Sequence, residues 1–312
     1  MRLKITNFIF FIALCVGAVN DINAAPIITP IQVAPNTFYV QGGAELGSTD
    51  NQNYISNAGF VIGKECVVVI DSLGSPVLSK QLISEIQKKT EKPIAFVILT
   101  HYHADHIYGL QSFSDLGAKV IAQELGREYL TSDTAAQRLI ASRAELAPWV
   151  NDKTQLVSAD IWINKDQTVS LCGLSFELRQ VGPAHTPDDL AIYVPSEKVL
   201  FAGDLVFKGR IPYVGTADSQ GWINSLKKLS SFDSKVIVPG HGAFSDQPQQ
   251  DLIFTRDYLI FLRQAMKQAA IELEDFDQVY EKTDWSTYQN VPLFKAANRM
   301  NAYNVYLSIQ NE

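Results

Sequence analysis

Sulfur and imidazole are scarce in this chain of 312 residues, which carries three cysteines, three methionines and five histidines. No two of the cysteines are close in sequence, so a disulfide-stapled miniature fold and a zinc site built from thiolates are both excluded. Basic clusters are missing too: no run of lysine or arginine exceeds a pair, and the formal charge is −7. A surface for nucleic acid or an anionic membrane needs a basic stripe, so neither is an expected partner, whereas a small-molecule substrate is. Long apolar runs are absent apart from one, "FIFFIALCVGAV" at Phe8 to Val19.

That run is too short to span a bilayer comfortably, follows Arg2 and Lys4, and precedes the small-residue stretch "NAAP". It reads as a secretory signal over residues 1–24, cut after Ala24 or Ala25, with an uncleaved anchor as the other reading. The mature chain is then periplasmic or secreted, has no stable membrane insertion, and carries a charge of −8 once Arg2, Lys4 and Asp21 leave with the leader. It keeps Cys66 and Cys172, each in an apolar, strand-like setting. Nothing in their spacing forces a pairing and a chain of this size needs no staple, so two buried thiols are expected, although an oxidising compartment would permit one disulfide.

What is present has a clear order. From Thr37 to Ile70 the chain reads as strands and turns, punctuated by glycine and asparagine. "SPVLSKQLISEIQKKT" carries Val77, Leu78, Leu82, Ile83 and Ile86 at helical spacing, with Ser75 as a cap and Pro76 in the first turn. "PIAFVILT" is a strand, and a helix-like segment follows it. The second half repeats the theme: "LSFELRQVG", "DLAIYVPS" and "KVLFAGD" read as strands, "DSQGWINSLKKLSSF" as a helix and "KVIVPG" as a last strand. Two similar halves predict an α/β fold with two facing sheets and helices outside. Past Phe244 the pattern turns helical, which divides the chain into a leader (1–24), a catalytic domain (25–245) and a helical extension packed on it (246–312).

Three of the five histidines fall in "LTHYHADHIYG". An extended backbone points His101 and His103 to the same side, where they can share one cation. Asp105 and His106 follow where the chain turns toward a helix, and adjacent residues diverge there, so a second ion can be held beside the first. The remaining histidines, His185 in "GPAHTPDD" and His241 in "PGHG", each follow a strand, and Asp204 in "LFAGDLVF" ends one. Imidazole and carboxylate without thiolate suit zinc and, less selectively, iron or manganese.

"HYHADH", "PAHTPDD", "FAGD" and "PGHG" in this order resemble the metallo-β-lactamase-fold hydrolase superfamily, over about Thr37 to Phe244. The resemblance implies an αββα sandwich with a metal centre at one edge. It places His101, His103 and His185 on one Zn2+ ion, Asp105, His106 and His241 on a second, and Asp204 between them. Asp71, in "VVVIDS", matches the family's first motif and would orient the loop and its histidines. Aspartate at the bridging position, with His106 present, is similar to hydroxyacylglutathione hydrolases and lactonases. The leader, with "DNQNYISNAGFVIG" and "AGDLVFKGRIPYVGTADS", looks similar to exported members described as SoxH-like or linked to quinoprotein systems. Asp188 and Asp189 depart from the glycine-containing turn of many relatives.

The implied reaction is hydrolysis of a small ester, thioester, lactone or β-lactam by a hydroxide held between the two ions. Asp105, Asp71 and Arg210 are the candidate catalytic residues, Arg210 as a two-pronged grip on a substrate carboxylate. Lys208 is the weaker candidate, with a surface salt bridge as its plainer role, and Tyr102, Tyr108 and Tyr213 either line the pocket or pack. Two other functions stay open: a mononuclear iron persulfide dioxygenase using His101, His185 and Asp204, and a periplasmic metal-binding accessory protein of a sulfur system without turnover.

Overall fold

The computed structural model describes residues 26–312, so the expected leader lies outside the described residues. The first sheet is built from β1 (Ile31–Ala34), β2 (Thr37–Val40), β3 (Ala58–Ile62), β4 (Val67–Ile70), β5 (Ile94–Ile98), β6 (Lys119–Gln123) and β7 (Ile161–Ile163), in that spatial order. β1 to β4 pair antiparallel; from β4 to β7 the pairing is parallel. Parallel neighbours need crossovers. These are α1 (Pro76–Lys89), the short α2 (Ala104–Ile107) with α3 (Leu110–Ser114), and α4 (Gly126–Leu130) with α5 (Asp133–Glu145).

The second sheet holds β8 (Gln167–Leu171), β9 (Leu174–Gln180), β10 (Leu190–Val194), β11 (Val199–Phe207) and β12 (Val236–His241), with β12 at one edge beside β11. Its one parallel pair, β11 with β12, is connected through α6 (Ser219–Leu229). Three helices complete the chain: α7 (Pro248–Glu272), α8 (Phe276–Lys282) and α9 (Phe294–Gln310).

The alternation of side chains along a strand explains the layering. In β4, Val67 and Val69 pack outward with Leu78, Leu82 and Ile86 of α1, whereas Val68 and Ile70 face inward among Ile192 and Phe201 of the second sheet. α1 forms as its sequence predicts: the Ser75 hydroxyl accepts from the Leu78 amide and Pro76 opens the first turn. Truncating its buried Leu82 to alanine is expected to cost about 2–5 kcal/mol. Val77, expected on the apolar face, is exposed instead. On the far side, α6, α7 and α9 cover the second sheet through Trp222, Tyr258, Leu259, Leu262 and Val305, all buried with Phe207 of β11. The result is the expected αββα sandwich, and none of the described helices is long and apolar enough to cross a membrane.

Two expectations need correction. Cys66 and Cys172 are not free thiols but form a disulfide, with Cα atoms 5.0 Å apart and a sequence separation of 106. The β3–β4 and β8–β9 turns meet at one end of the sandwich, where the Lys64 amide also donates to the Cys172 carbonyl (2.7 Å). A contact between turns of different sheets leaves no trace in cysteine spacing. Asp204 does not end its strand: β11 runs on to Phe207, with its register to β12 broken around Gly203. Gly203 has φ +51°, a backbone region that glycine enters without penalty.

Candidate metal centre

The site gathers where several strands end. Asp71 follows β4, His101 follows β5, Asp204 interrupts β11 and His241 closes β12. His103 caps α2, which carries Asp105 and His106, and His185 sits in the loop between β9 and β10. Apart from Asp71, these residues fall into two groups whose candidate ligand atoms lie within 4.8 Å of one another: His101, His103, His185 and Asp204, and Asp105, His106 and His241. Asp204 lies against both. Its Oδ2 is 3.3 Å from Nε2 of His185 and 3.3 Å from Nε2 of His241, while its Oδ1 is 3.1 Å from Nε2 of His106.

Each imidazole is turned by what touches its other nitrogen. Nδ1 of His106 is 3.0 Å from Oδ2 of Asp71, Nδ1 of His241 donates to the Ile55 carbonyl (2.7 Å), and Nδ1 of His101 is 3.0 Å from the Thr100 hydroxyl. In all three rings Nε2 is left pointing into the cluster, which is the arrangement that fixes the tautomer of a ligating histidine. His103 Nδ1 and His185 Nε2 face each other at 3.0 Å. Buried Nε2 of His101 and of His106, and Oδ1 of Asp204, make no hydrogen bond of good geometry among the described residues, although the last two approach each other to 3.1 Å. Orphaned polar atoms at this depth are costly unless something else satisfies them, and cations would satisfy these three at once. The donor set of nitrogen and carboxylate oxygen fits zinc, and also iron or manganese.

Electrostatically the imidazoles divide into two kinds. Burial, with help from the neighbouring His106, holds His101 well below the ordinary histidine value, and burial lowers His185 to about 3. Both are neutral imidazoles. Burial also opposes charge on His106 and His241, but nearby carboxylates outweigh it, raising His106 well above its usual value and His241 to about 9. The same pairs work in reverse on the acids: burial favours the neutral carboxyl, yet His106 and His241 hold Asp105 and Asp204 below their usual range.

Other predicted residues separate cleanly. Asp71 takes the left-handed conformation (φ +59°), which places its carboxylate to accept from both the amide and the hydroxyl of Thr100, each at 2.8 Å, while it contacts His106. Arg210 is 5% exposed, with Nη1 3.5 Å from Nδ1 of His241, its Nε unpartnered and no carboxylate in ion-pair range among the described residues. Burial lowers its pKa. Lys208 pairs instead with Asp251 (3.5 Å), the plainer of its two roles. Tyr102 and Tyr108 are buried in the helical layer, the latter's hydroxyl against Ser142 (3.2 Å). Only Tyr213 of the three stands at the site, 42% exposed, its ring 6.4 Å from that of His185.

Asn57 was not singled out from the sequence, yet it clamps the His241 loop. Its Nδ2 donates to the carbonyls of Pro239 and Gly242, both at 2.8 Å, and its backbone amide donates to Gly240 (2.8 Å). The one available signal was an asparagine directly before an apolar strand. Asp188 accepts from the Tyr102 amide (2.9 Å) and so fastens the His185 loop to the His101–His103 segment, while Asp189 accepts from the amide and hydroxyl of Thr186 within that loop.

The sequence model of the metallo-beta-lactamase superfamily matches residues 52–241, which include every residue of the cluster. The chain belongs to that superfamily. Among similar proteins, the linear primary-alkylsulfatase of a Pseudomonas species is 25% identical over 234 residues, covering 64% of this chain and 44% of that protein. The metallo-beta-lactamase type 2 of Elizabethkingia meningoseptica is 28% identical over 199 residues, 62% of this chain and 72% of that one. This superfamily member therefore spans less than half the length of the alkylsulfatase. The solved structure of the inverting sec-alkylsulfatase Pisa1 from Pseudomonas sp. overlays with a TM-score of 0.72 and 17% identity, covering 90% of this chain and 50% of that one, which shows a shared fold.

Proposed function

We propose that this superfamily member is an exported hydrolase that holds two zinc ions and cleaves a small ester, thioester, lactone or β-lactam. The observation that carries the reading is Asp204 lying against both ligand groups, 3.3 Å from His185 and 3.1 Å from His106. His101, His103 and His185 would hold one ion, Asp105, His106 and His241 the other, with Asp204 shared. A structural zinc closed by four ligands would need no second group. A single iron on His101, His185 and Asp204 would leave the second group without purpose.

Bound ions would supply a water nucleophile ionised near neutral pH and polarise the bond to be cut. The chain supplies the rest. Asp105, the most exposed of the cluster's carboxylates and 3.3 Å from His241, would accept the proton released when that water ionises and return it to the leaving atom. Arg210, buried and without a carboxylate partner, grips an anionic group of the substrate. Tyr213 offers an aromatic wall beside His185. The Cys66–Cys172 disulfide supports a periplasmic or secreted location, because such bonds persist in oxidising compartments.

Sulfate esters form a second candidate class, favoured by the alkylsulfatase relative and by an anion-gripping arginine. Elemental analysis of the purified mature protein and of His106→Ala tests the metal reading, followed by a panel of thioester, lactone, β-lactam and alkyl sulfate. Two zinc ions per chain, falling toward one in the variant, are expected. One iron per chain, unchanged in the variant, overturns the proposal.

A further inference from the structure

The segment after β11, residues 208–217, carries both Arg210 and Tyr213, yet little of it is held by its own strand. The Lys208 amide donates to the His241 carbonyl (3.0 Å), and beyond that point the anchors come from the C-terminal helical region. The Ile211 amide donates to Pro292, just before α9, at 2.9 Å. Asn301, fully buried on α9, brackets the next turn: its Nδ2 donates to the Pro212 carbonyl (2.7 Å) and its Oδ1 accepts from the Val214 amide (3.0 Å). The same Nδ2 donates to the Tyr258 hydroxyl of α7 (2.9 Å), which donates in turn to Asn298 (3.0 Å). Tyr258 and Asn298 are also fully buried.

Buried amides cost stability unless fully satisfied, and an apolar residue would fill the space between α7 and α9 without that demand. Here the amide's hydrogen bonds fall on Pro212 and Val214, the two residues flanking Tyr213, and Pro212 is two residues from Arg210. We propose that Asn301 is a positioning residue that, with Tyr258 behind it, sets the Arg210–Tyr213 segment over the metal centre, so that the C-terminal helices determine which anionic substrates are accepted. The inference rests on the hydrolase reading above only for its consequence on substrates. The geometry of the segment can be tested without turnover.

The test uses Asn301→Ala and the milder Tyr258→Phe, which keeps the ring in the core. Three measurements are made on each full-length mature protein: zinc content, hydrogen exchange by peptide, and steady-state kinetics on para-nitrophenyl acetate and para-nitrophenyl hemisuccinate, a neutral and an anionic ester. Exchange is expected to rise about five- to tenfold in residues 208–217 while the first sheet is unchanged, matching the loss of one or two hydrogen bonds. Zinc content stays at the wild-type level, and KM rises by a similar factor for the hemisuccinate alone, with kcat retained. If the wild type cleaves neither ester, the simple-ester branch of the hydrolase reading loses its support while the exchange data still decide the positioning role. Should Asn301→Ala fail to fold, Tyr258→Phe decides alone. Exchange in 208–217 at the wild-type rate in a folded variant overturns the proposal, as does an equal loss on both esters accompanied by loss of zinc.

Discussion

The carboxylate of Asp71 stands 3.0 Å from Nδ1 of His106 while accepting two hydrogen bonds from Thr100, so one side chain ties the end of β4 to the end of β5 and to α2. Replacing it with asparagine keeps the size but leaves the His106 ring without its anionic partner. Loss of such a partner typically lowers metal affinity about 10- to 100-fold. Asp71→Asn should therefore weaken binding of the ion assigned to Asp105, His106 and His241, measured by competition with a chromophoric chelator. An unchanged affinity would falsify the orienting role.

Proton competition should make metal uptake pH-dependent. Burial opposes charge on His241, but the carboxylates of Asp204 and Asp105 prevail and raise it to about 9. In chelated protein the folded value thus exceeds the ordinary 6.5, so this ion-paired proton contributes stability that is complete below about 6.5 and is lost as pH rises through 9. The consequence for zinc has the opposite sign, because the ion must displace that proton. Affinity at the second group is expected to rise at least tenfold per pH unit between 7 and 9, more steeply where His106, also raised, must give up its proton too, with proton release seen by calorimetry in buffers of different ionisation enthalpy. A flat profile over that window would argue that His241 is not a ligand.

The cluster was readable in the sequence because its residues sit in short, chemically unusual contexts: three histidines within six residues, then two histidines near glycine or proline and an aspartate after the glycine that interrupts an apolar strand. The two-sheet layering was readable from continuous apolar strands such as β4 and from the helical apolar period of α1. The supports were not readable. Asn57, Thr100 and Asn301 are ordinary polar residues whose importance comes from carbonyls and rings that arrive from distant segments; Asn301 meets Pro212 across 89 positions. Cys66 and Cys172 failed for the same reason. Sequence spacing records neighbours along a strand or helix, and it is silent about which two turns the sandwich brings together.

That disulfide joins the sheets at the far end of β4 from Asp71. It closes a loop of 106 residues, for which the chain-entropy model gives about 4–5 kcal/mol. Cys66→Ser with Cys172→Ser should lower the denaturation midpoint and leave the zinc content of the folded protein as in the wild type. Loss of zinc at a temperature where the double variant is still folded would mean that the two ends of the sandwich are coupled, against the separation seen in the fold.

Gly240 makes the reverse prediction. It lies one residue before His241, beside β11, where an added Cβ would overlap the Asp204 carboxylate and press on the backbone of Gly203 and Asp204. The backbone atoms cannot yield as a side-chain end can, so the strands must part or Asp204 must turn away from His106 and His185. Gly240→Ala is accordingly expected to lose bound zinc at both groups, because Asp204 is the residue they share, while the distant disulfide and the first sheet hold the fold together. Elemental analysis beside a thermal melt separates the two effects. A folded Gly240→Ala that keeps both ions would show that Asp204 need not lie between them, and would remove the observation on which the two-ion reading depends.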